Sequence, residues 1–189
     1  MNRPLSDMTL EELWQLFPIF LTQHQDQWGT WYEEEAEILQ QALPGELITR
    51  ISHIGSTAMK DIWAKPIIDI LVEIPLESTL SEVKEIILDS GYLCMSESKK
   101  RISFNKGYTQ NGFAERVYHL HARYVGDNDE LYFRDYLNEH PSLAKRYEKL
   151  KLSLWEKYEH DRDAYTESKT AFISEYTQKA KQKYGSRYV

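Results

Sequence analysis

One short stretch constrains this chain more than any other: His53-Ile54-Gly55-Ser56-Thr57, followed after a helix-sized gap by Lys65-Pro66-Ile67-Ile68-Asp69-Ile70-Leu71-Val72. A strand that runs into Gly-Ser-Thr can turn sharply, because glycine lacks a Cβ. Ser56 or Thr57 can then cap a following helix whose free N–H groups face an anion, a geometry that suits a triphosphate. Asp69 lies in a strand otherwise built of Ile, Leu and Val, where an unpaired carboxylate is costly to bury. It therefore needs a metal, a lysine or an open edge, and Lys65 is the nearest lysine in sequence. Alone, Gly55-Ser56 reads as an ordinary helix start; Asp69 at this spacing makes it the corner of a phosphate site.

Helices flank that corner on both sides. Thr9, with Glu12 at the capping-box position, predicts a helix over Leu10 to Phe20. Trp28, Trp31, Tyr32, Glu35, Ile38, Leu39 and Ala42 recur at helical spacing and predict a second helix from about 27 to 42, stopped by Pro44-Gly45. The middle is strand-like over 47–54 and 67–74, then helical from Ser78 or Thr79 to Leu88 with Gly91 at its end. Strands follow over 92–95, 101–106 and 115–124, with Lys106-Gly107 and Asn111-Gly112 as turn signals, giving a mixed sheet of four or five strands. Helices return over 131–138, from Pro141 to about 158, and over 162–184, leaving 185–189 as a frayed tail. Trp28, Trp31, Tyr147, Leu150, Phe172 and Ile173 call for a shared core, and no linker signal divides the 189 residues, so a single domain is expected.

Charge and composition narrow the function classes. A net charge of −7 disfavours broad nucleic-acid binding, since that affinity rests on neutralising many phosphates, but it leaves room for a local basic pocket. Lys99-Lys100-Arg101 is a tight basic run that reads as a solvated turn rather than a phosphate clamp. No apolar run approaches the ~20 residues that cross a bilayer. Asp7, Glu11 and Glu12 stand where a signal core would lie, and a lone Cys94 cannot close an internal disulfide. A cytoplasmic location and no membrane partner are expected; oligomeric state is open.

The order apolar-Gly-Ser, about a dozen residues, then Asp in an apolar strand resembles the nucleotidyltransferase superfamily. The fuller string HIGSTA…KPIIDILV, with YHLHARYV, LYFRDYL, HPSLAKRYEKLK and YTESKTAFI, resembles the GrpB family (UPF0157) from about 31 to 180. That resemblance implies an α+β fold: a nucleotidyltransferase-like mixed β-sheet core over 46–127, N-terminal helices over 1–45 and a C-terminal helical bundle over 128–185. It implies a small phosphorylated ligand, a nucleotide or something CoA-like, bound with Mg²⁺ or another divalent metal; related domains also occur fused to dephospho-CoA kinase. Gly55, Ser56, Thr57 and Lys65 would hold the ligand, joined by Arg134, Lys145 and Lys169 on helices. Asp135 and Lys151 lie in the same family-matching segments and can pair with phosphates, although exposed helical charges are commonly solvated.

Active nucleotidyltransferases place two carboxylates two residues apart on one strand, where both side chains share a face and hold Mg²⁺. The second position here is Leu71, and Glu73 lies ~13 Å along the strand from Asp69. A catalytically silent binding or folding module is one reading, and transfer with a lone Asp69 on Mg²⁺ is another. His119 and His121, two apart on one strand, offer a third: with Asp69 they make a two-His, one-carboxylate set suited to a transition metal and a hydrolase. The bland alternative is that one imidazole hydrogen-bonds Asp69 or phosphate while the other packs against a helix. His53, just before the glycine turn, reads as a buried structural residue, with membership of this cluster as the alternative.

Overall fold

A computed structural model describes residues 4–189; positions 1–3 of the expected N-terminal segment lie outside them. The helices are α1 (Leu10–Leu16), α2 (Gln27–Ala42), α3 (Leu80–Asp89), α4 (Asp129–Glu139), α5 (Pro141–Tyr158), α6 (Arg162–Glu167) and α7 (Thr170–Tyr184). Strands β1 (Arg50–Ile54), β2 (Ile68–Ile74), β3 (Leu93–Glu97), β4 (Arg101–Thr109) and β5 (Gly112–Tyr124) form a sheet ordered β1-β2-β5-β4-β3. Only the central β2–β5 pair is parallel; its neighbours are antiparallel. This is the α+β architecture with a mixed sheet.

Side-chain parity along β2 divides the molecule into two layers. Ile68, Ile70, Val72 and Ile74 point one way, into a core closed by Trp28 and Leu39 of α2 and by Val83 and Ile87 of α3. Asp69, Leu71 and Glu73 point the other way, toward the C-terminal helices. Because both faces are covered, β2 reads as a nearly unbroken apolar run rather than an alternating one. The single shared core expected for Trp28, Trp31, Tyr147, Leu150, Phe172 and Ile173 is therefore two. The tryptophans belong to the α2–α3 layer, and the other four pack with Met59, Ile62, Phe133 and Leu137 in a second cluster.

Several elements differ from the sequence expectation, each for a local reason. Helix α1 has the expected capping box at Thr9 but stops at Leu16, because the residue before Pro18 is pushed out of the helical region; Phe17 has φ −122°, ψ 64°. Residues 18–22 then run extended, donate Ile19 N–H to Glu159 O at 2.8 Å, and bridge Thr22 to Ala64. The 162–184 helix is broken at Ser168-Lys169 into α6 and α7. Lys106-Gly107 is not a turn but a bulge inside β4, where Gly107 has φ +90° and an added Cβ would fall 2.3 Å from Arg116 O. The C-terminal tail does not fray: the Tyr188 hydroxyl bonds Asp135 and Arg134, and its carbonyl accepts from Asn128 at 2.9 Å.

Candidate functional site

The site begins at the end of β1. Ile54 pairs with Asp69 across the antiparallel β1–β2 ladder, so the Gly55 turn arrives beside the Asp69 carboxyl. Gly55 has φ +72° and ψ −172°, a conformation essentially restricted to glycine. A Cβ there would lie 2.2 Å from Asp69 Oδ2. Gly55 and Asp69 are thus two halves of one close approach, which explains why the two sequence signals occur together. The helix expected after the turn is only a single 3-10 turn, Ser56–Ala58, because Met59 and Ile62 are drawn into the cluster under α4 and α5. It has no extended row of free N–H groups to offer an anion.

The parallel β2–β5 register sets Asp69 opposite His119 and Leu71 opposite His121. His119 Nδ1 is 3.3 Å from Asp69 Oδ1, and His121 Nε2 is 4.0 Å from the same oxygen. The other His119 nitrogen, Nε2, is 2.8 Å from the Tyr108 hydroxyl, which accepts from Arg162 at 2.8 Å. The contacts are consistent with a one-way chain of donors: Arg162 to Tyr108, Tyr108 to His119, His119 to Asp69. His121 Nδ1 faces the Ser103 hydroxyl at 3.4 Å. Burial opposes ionisation of Asp69, but the hydrogen bond from His119 and the nearby His121 outweigh it and hold the carboxyl well below the usual carboxylate range. Burial likewise lowers the His119 pKa, against the pull of Asp69, so the pair is read as carboxylate with neutral imidazole.

Lysines gather at the same corner. A cavity of about 190 Å³ is lined by Gly55, Ser56, Asp69 and His119 together with Lys65, Lys151 and Lys169. Among the described residues neither the Lys65 nor the Lys169 ammonium makes a hydrogen bond or ion pair; each lies over the Tyr165 ring, at 5.4 and 4.3 Å. Lys151 is 2% exposed, donates to the Trp63 carbonyl and sits 5.0 Å above the Tyr147 ring. Burial lowers Lys65 to about 7, helped by the charges of Arg162 and Lys169. Burial and Lys169 lower Lys151 to about 7. Lys169 falls to about 8, again through burial first. Gly55, Ser56 and Tyr147 are shared with a larger chamber of about 580 Å³ along one face of α7, which Thr170, Ser174, Thr177 and Gln178 also line.

Of the residues singled out from sequence, Gly55, Ser56, Lys65, Asp69, His119 and Lys169 line this one cavity, with His121 against Asp69. Three others lie elsewhere. Thr57 is 3% exposed, donates to Ile67 O and faces His53 Nε2 at 2.9 Å. Arg134 donates to His53 O at 2.7 Å and bonds Asp135, clamping α4 and the tail to β1. Lys145 bonds the Asp61 carbonyl and Glu148. These three are held by the fold itself. His53 is structural as expected: it stacks on Tyr32 at 4.7 Å, and burial lowers it to about 4. Lys99 and Lys100 are exposed beyond β3, and Arg101 pairs with Asp127 at 2.6 Å. Lys151 was one basic residue among several on the C-terminal helices; Tyr147 on α5 joins the cavity lining, and Tyr108 on β4 with Arg162 on α6 reaches it through His119, placements that no local sequence pattern marks.

A strand entering a Gly-Ser turn beside an acidic residue on the next strand of a mixed sheet is a nucleotidyltransferase-like arrangement. The Cid1 poly(U) polymerase solved with MgATP has the same fold at TM-score 0.50, 13% identity, covering 78% of this chain and 46% of that one. Within that fold the chain belongs to the GrpB family, which it matches as "GrpB protein" over residues 18–179. It is 35% identical to the glutamate-rich protein GrpB of Alkalihalophilus pseudofirmus, covering 83% of this chain and 92% of that protein. The UPF0157 protein YqkA of Bacillus subtilis is 32% identical over 84% of this chain but only 46% of its own length. The crystal structure of GrpB from Enterococcus faecalis superposes at TM-score 0.75 with 32% identity, covering 87% of this chain and 99% of that one.

A two-metal centre of the kind the fold implies does not fit the residues present. Leu71 fills the second carboxylate position, fully buried against Ile54 and Leu131. Glu73 is also fully buried, and is held by Arg50 at 2.5 Å and Asn128 at 2.8 Å. In the Asp69, His119 and His121 trio, His119 lies within hydrogen-bond distance of the carboxylate and His121 stands 4.0 Å from the same oxygen. Among the described residues no three His, Cys, Asp or Glu side chains are placed to share a metal ion. No described helix is long and apolar enough to cross a membrane.

Proposed function

We propose that this chain binds a small phosphorylated molecule, with the phosphate in the lysine-lined cavity beside Gly55 and Ser56 and the rest of the ligand in the chamber along α7. One observation carries the reading: Lys65, Lys151 and Lys169 converge on one cavity of a chain with net charge −7, and two of them have no anionic partner there beyond Asp69, which the histidines engage. Burying unpaired ammonium groups is costly and is offset when an anion enters. The α7 chamber mixes hydroxyl and amide groups with Met59, Phe133 and Ile173, lining suited to a nucleotide or CoA-like body.

Catalysis of nucleotidyl transfer is not part of the proposal, because Leu71 leaves no second carboxylate. The test is a melting-temperature series with inorganic pyrophosphate, ATP, CoA and their unphosphorylated counterparts, since a ligand that prefers the folded state raises the midpoint. Stabilisation by the phosphorylated compounds alone, lost in Lys65→Met, supports the reading. Equal response to adenosine and ATP, or none to any phosphate, sinks it.

A further inference from the structure

We infer that this cavity takes its phosphate as a free anion, with side-chain cations standing where the fold would place a metal ion. The inference rests on the phosphate-binding reading above and deepens it: the ligand class is an unchelated phosphate or diphosphate group, not a metal–phosphate complex.

The donors and the charges point the same way. The carboxylate and imidazole groups at this corner are largely turned on one another or on neighbouring residues. Asp69 Oδ1 faces His119 and His121, and Oδ2 is wedged against Gly55. His119 Nε2 meets Tyr108, and His121 Nδ1 meets Ser103. Glu73, the other acid on the same strand face, is closed off by Arg50 and Asn128. Against this one engaged carboxylate stand Lys65, Lys151 and Lys169, with Arg162 close enough for its charge to act on Lys65, Lys169 and His119. A divalent cation entering here meets mostly like charge at low dielectric, whereas a phosphate meets the Lys65 and Lys169 ammonium groups, which have no competing hydrogen-bond partner. Asp69, on this account, orders the lysines and the histidine chain rather than holding a metal.

Titration calorimetry with inorganic pyrophosphate separates the two arrangements. Binding should persist in EDTA and weaken when Mg²⁺ is added in excess. Sulfate, a dianion that holds Mg²⁺ weakly, should bind equally well with and without the ion. Lys169→Gln should cost about tenfold or more in affinity in EDTA, the worth of one charge-assisted hydrogen bond, while Lys169→Arg retains most of it. Asp69→Asn should keep EDTA-resistant binding, with a circular dichroism melt confirming that each variant folds. Pyrophosphate binding that requires Mg²⁺ and disappears in EDTA or in Asp69→Asn overturns the inference and leaves phosphate binding standing. Absence of binding under both conditions overturns both.

Discussion

Strand β2 carries two acids on one face, Asp69 and Glu73, and they have opposite fates. Glu73 is fully buried yet satisfied: Arg50 pairs with it at 2.5 Å, and Asn128, itself bonded to the Tyr188 carbonyl, donates to it at 2.8 Å. Asp69 is 26% exposed, borders a cavity and faces histidines and unpartnered lysines. Four residues apart, one carboxylate closes the fold and the other opens it. The difference lies in the neighbouring elements: α4 and the C-terminal tail seal the Glu73 end, whereas the Asp69 end faces a gap between the Gly55 turn and α5–α7. A buried charge marks function only when its surroundings are left incomplete.

The comparison can be broken in stability measurements, beginning with the residue between the two acids. Leu71→Asp should destabilise by about 3–5 kcal/mol in urea, because it buries an unpaired carboxylate against Ile54 and Leu131. It would not create a metal site by restoring a second acid, since position 71 is core here. A variant that folds normally and gains Mg²⁺ affinity would show this to be wrong.

Next in size, Glu73→Gln should cost about 3 kcal/mol, leaving Arg50 without its partner, whereas Asp69→Asn should cost less, about 1–2 kcal/mol, because the side chain is partly exposed and the amide oxygen still accepts from His119. Equal losses in the two variants would erase the distinction between a sealing and a cavity-facing acid. Gly55→Ala should cost about 2 kcal/mol through its positive φ and its collision with Asp69 Oδ2. Combining it with Asp69→Ala should recover part of that loss. Strict additivity in the double-mutant cycle would mean that the two residues are not one unit.

The pH dependence sharpens the same contrast. Lys65, Lys151 and Lys169 titrate near 7 to 8 when folded, below the ~10.4 of an unfolded chain. Between about pH 7 and pH 10 the unfolded state therefore binds more protons, and the contribution of these lysines to stability rises with pH. Stabilisation by sulfate, which stays dianionic throughout, should fall several-fold over that window, because neutral amines release the anion. A ligand-induced melting shift that is flat from pH 6.5 to 9.5 contradicts this assignment. The smallest effect belongs to the sealed end: Tyr188→Phe should cost about 1 kcal/mol through lost bonds to Asp135 and Arg134, without altering sulfate binding.

Much of this was written in the sequence. The capping box at Thr9, the strand periods of β2 and β5, and the stop at Pro44-Gly45 are local effects, set by side chains within a few residues of one another. Gly55, Asp69, His119 and His121 were legible as one corner because strand parity fixes facing once the strands are known, and pairing β2 with β5 does the rest. What the sequence could not settle was which charges remain unpartnered. Lys145, Lys151 and Lys169 look alike as basic residues on C-terminal helices, but Lys145 caps the Asp61 carbonyl, Lys151 is buried and Lys169 overhangs the cavity. Arg134 and Thr57, equally suggestive in sequence, are engaged by His53 across more than one element. Burial and pairing are properties of contacts between distant segments, so only the tertiary structure could divide the cavity-facing cations from those that hold the fold together.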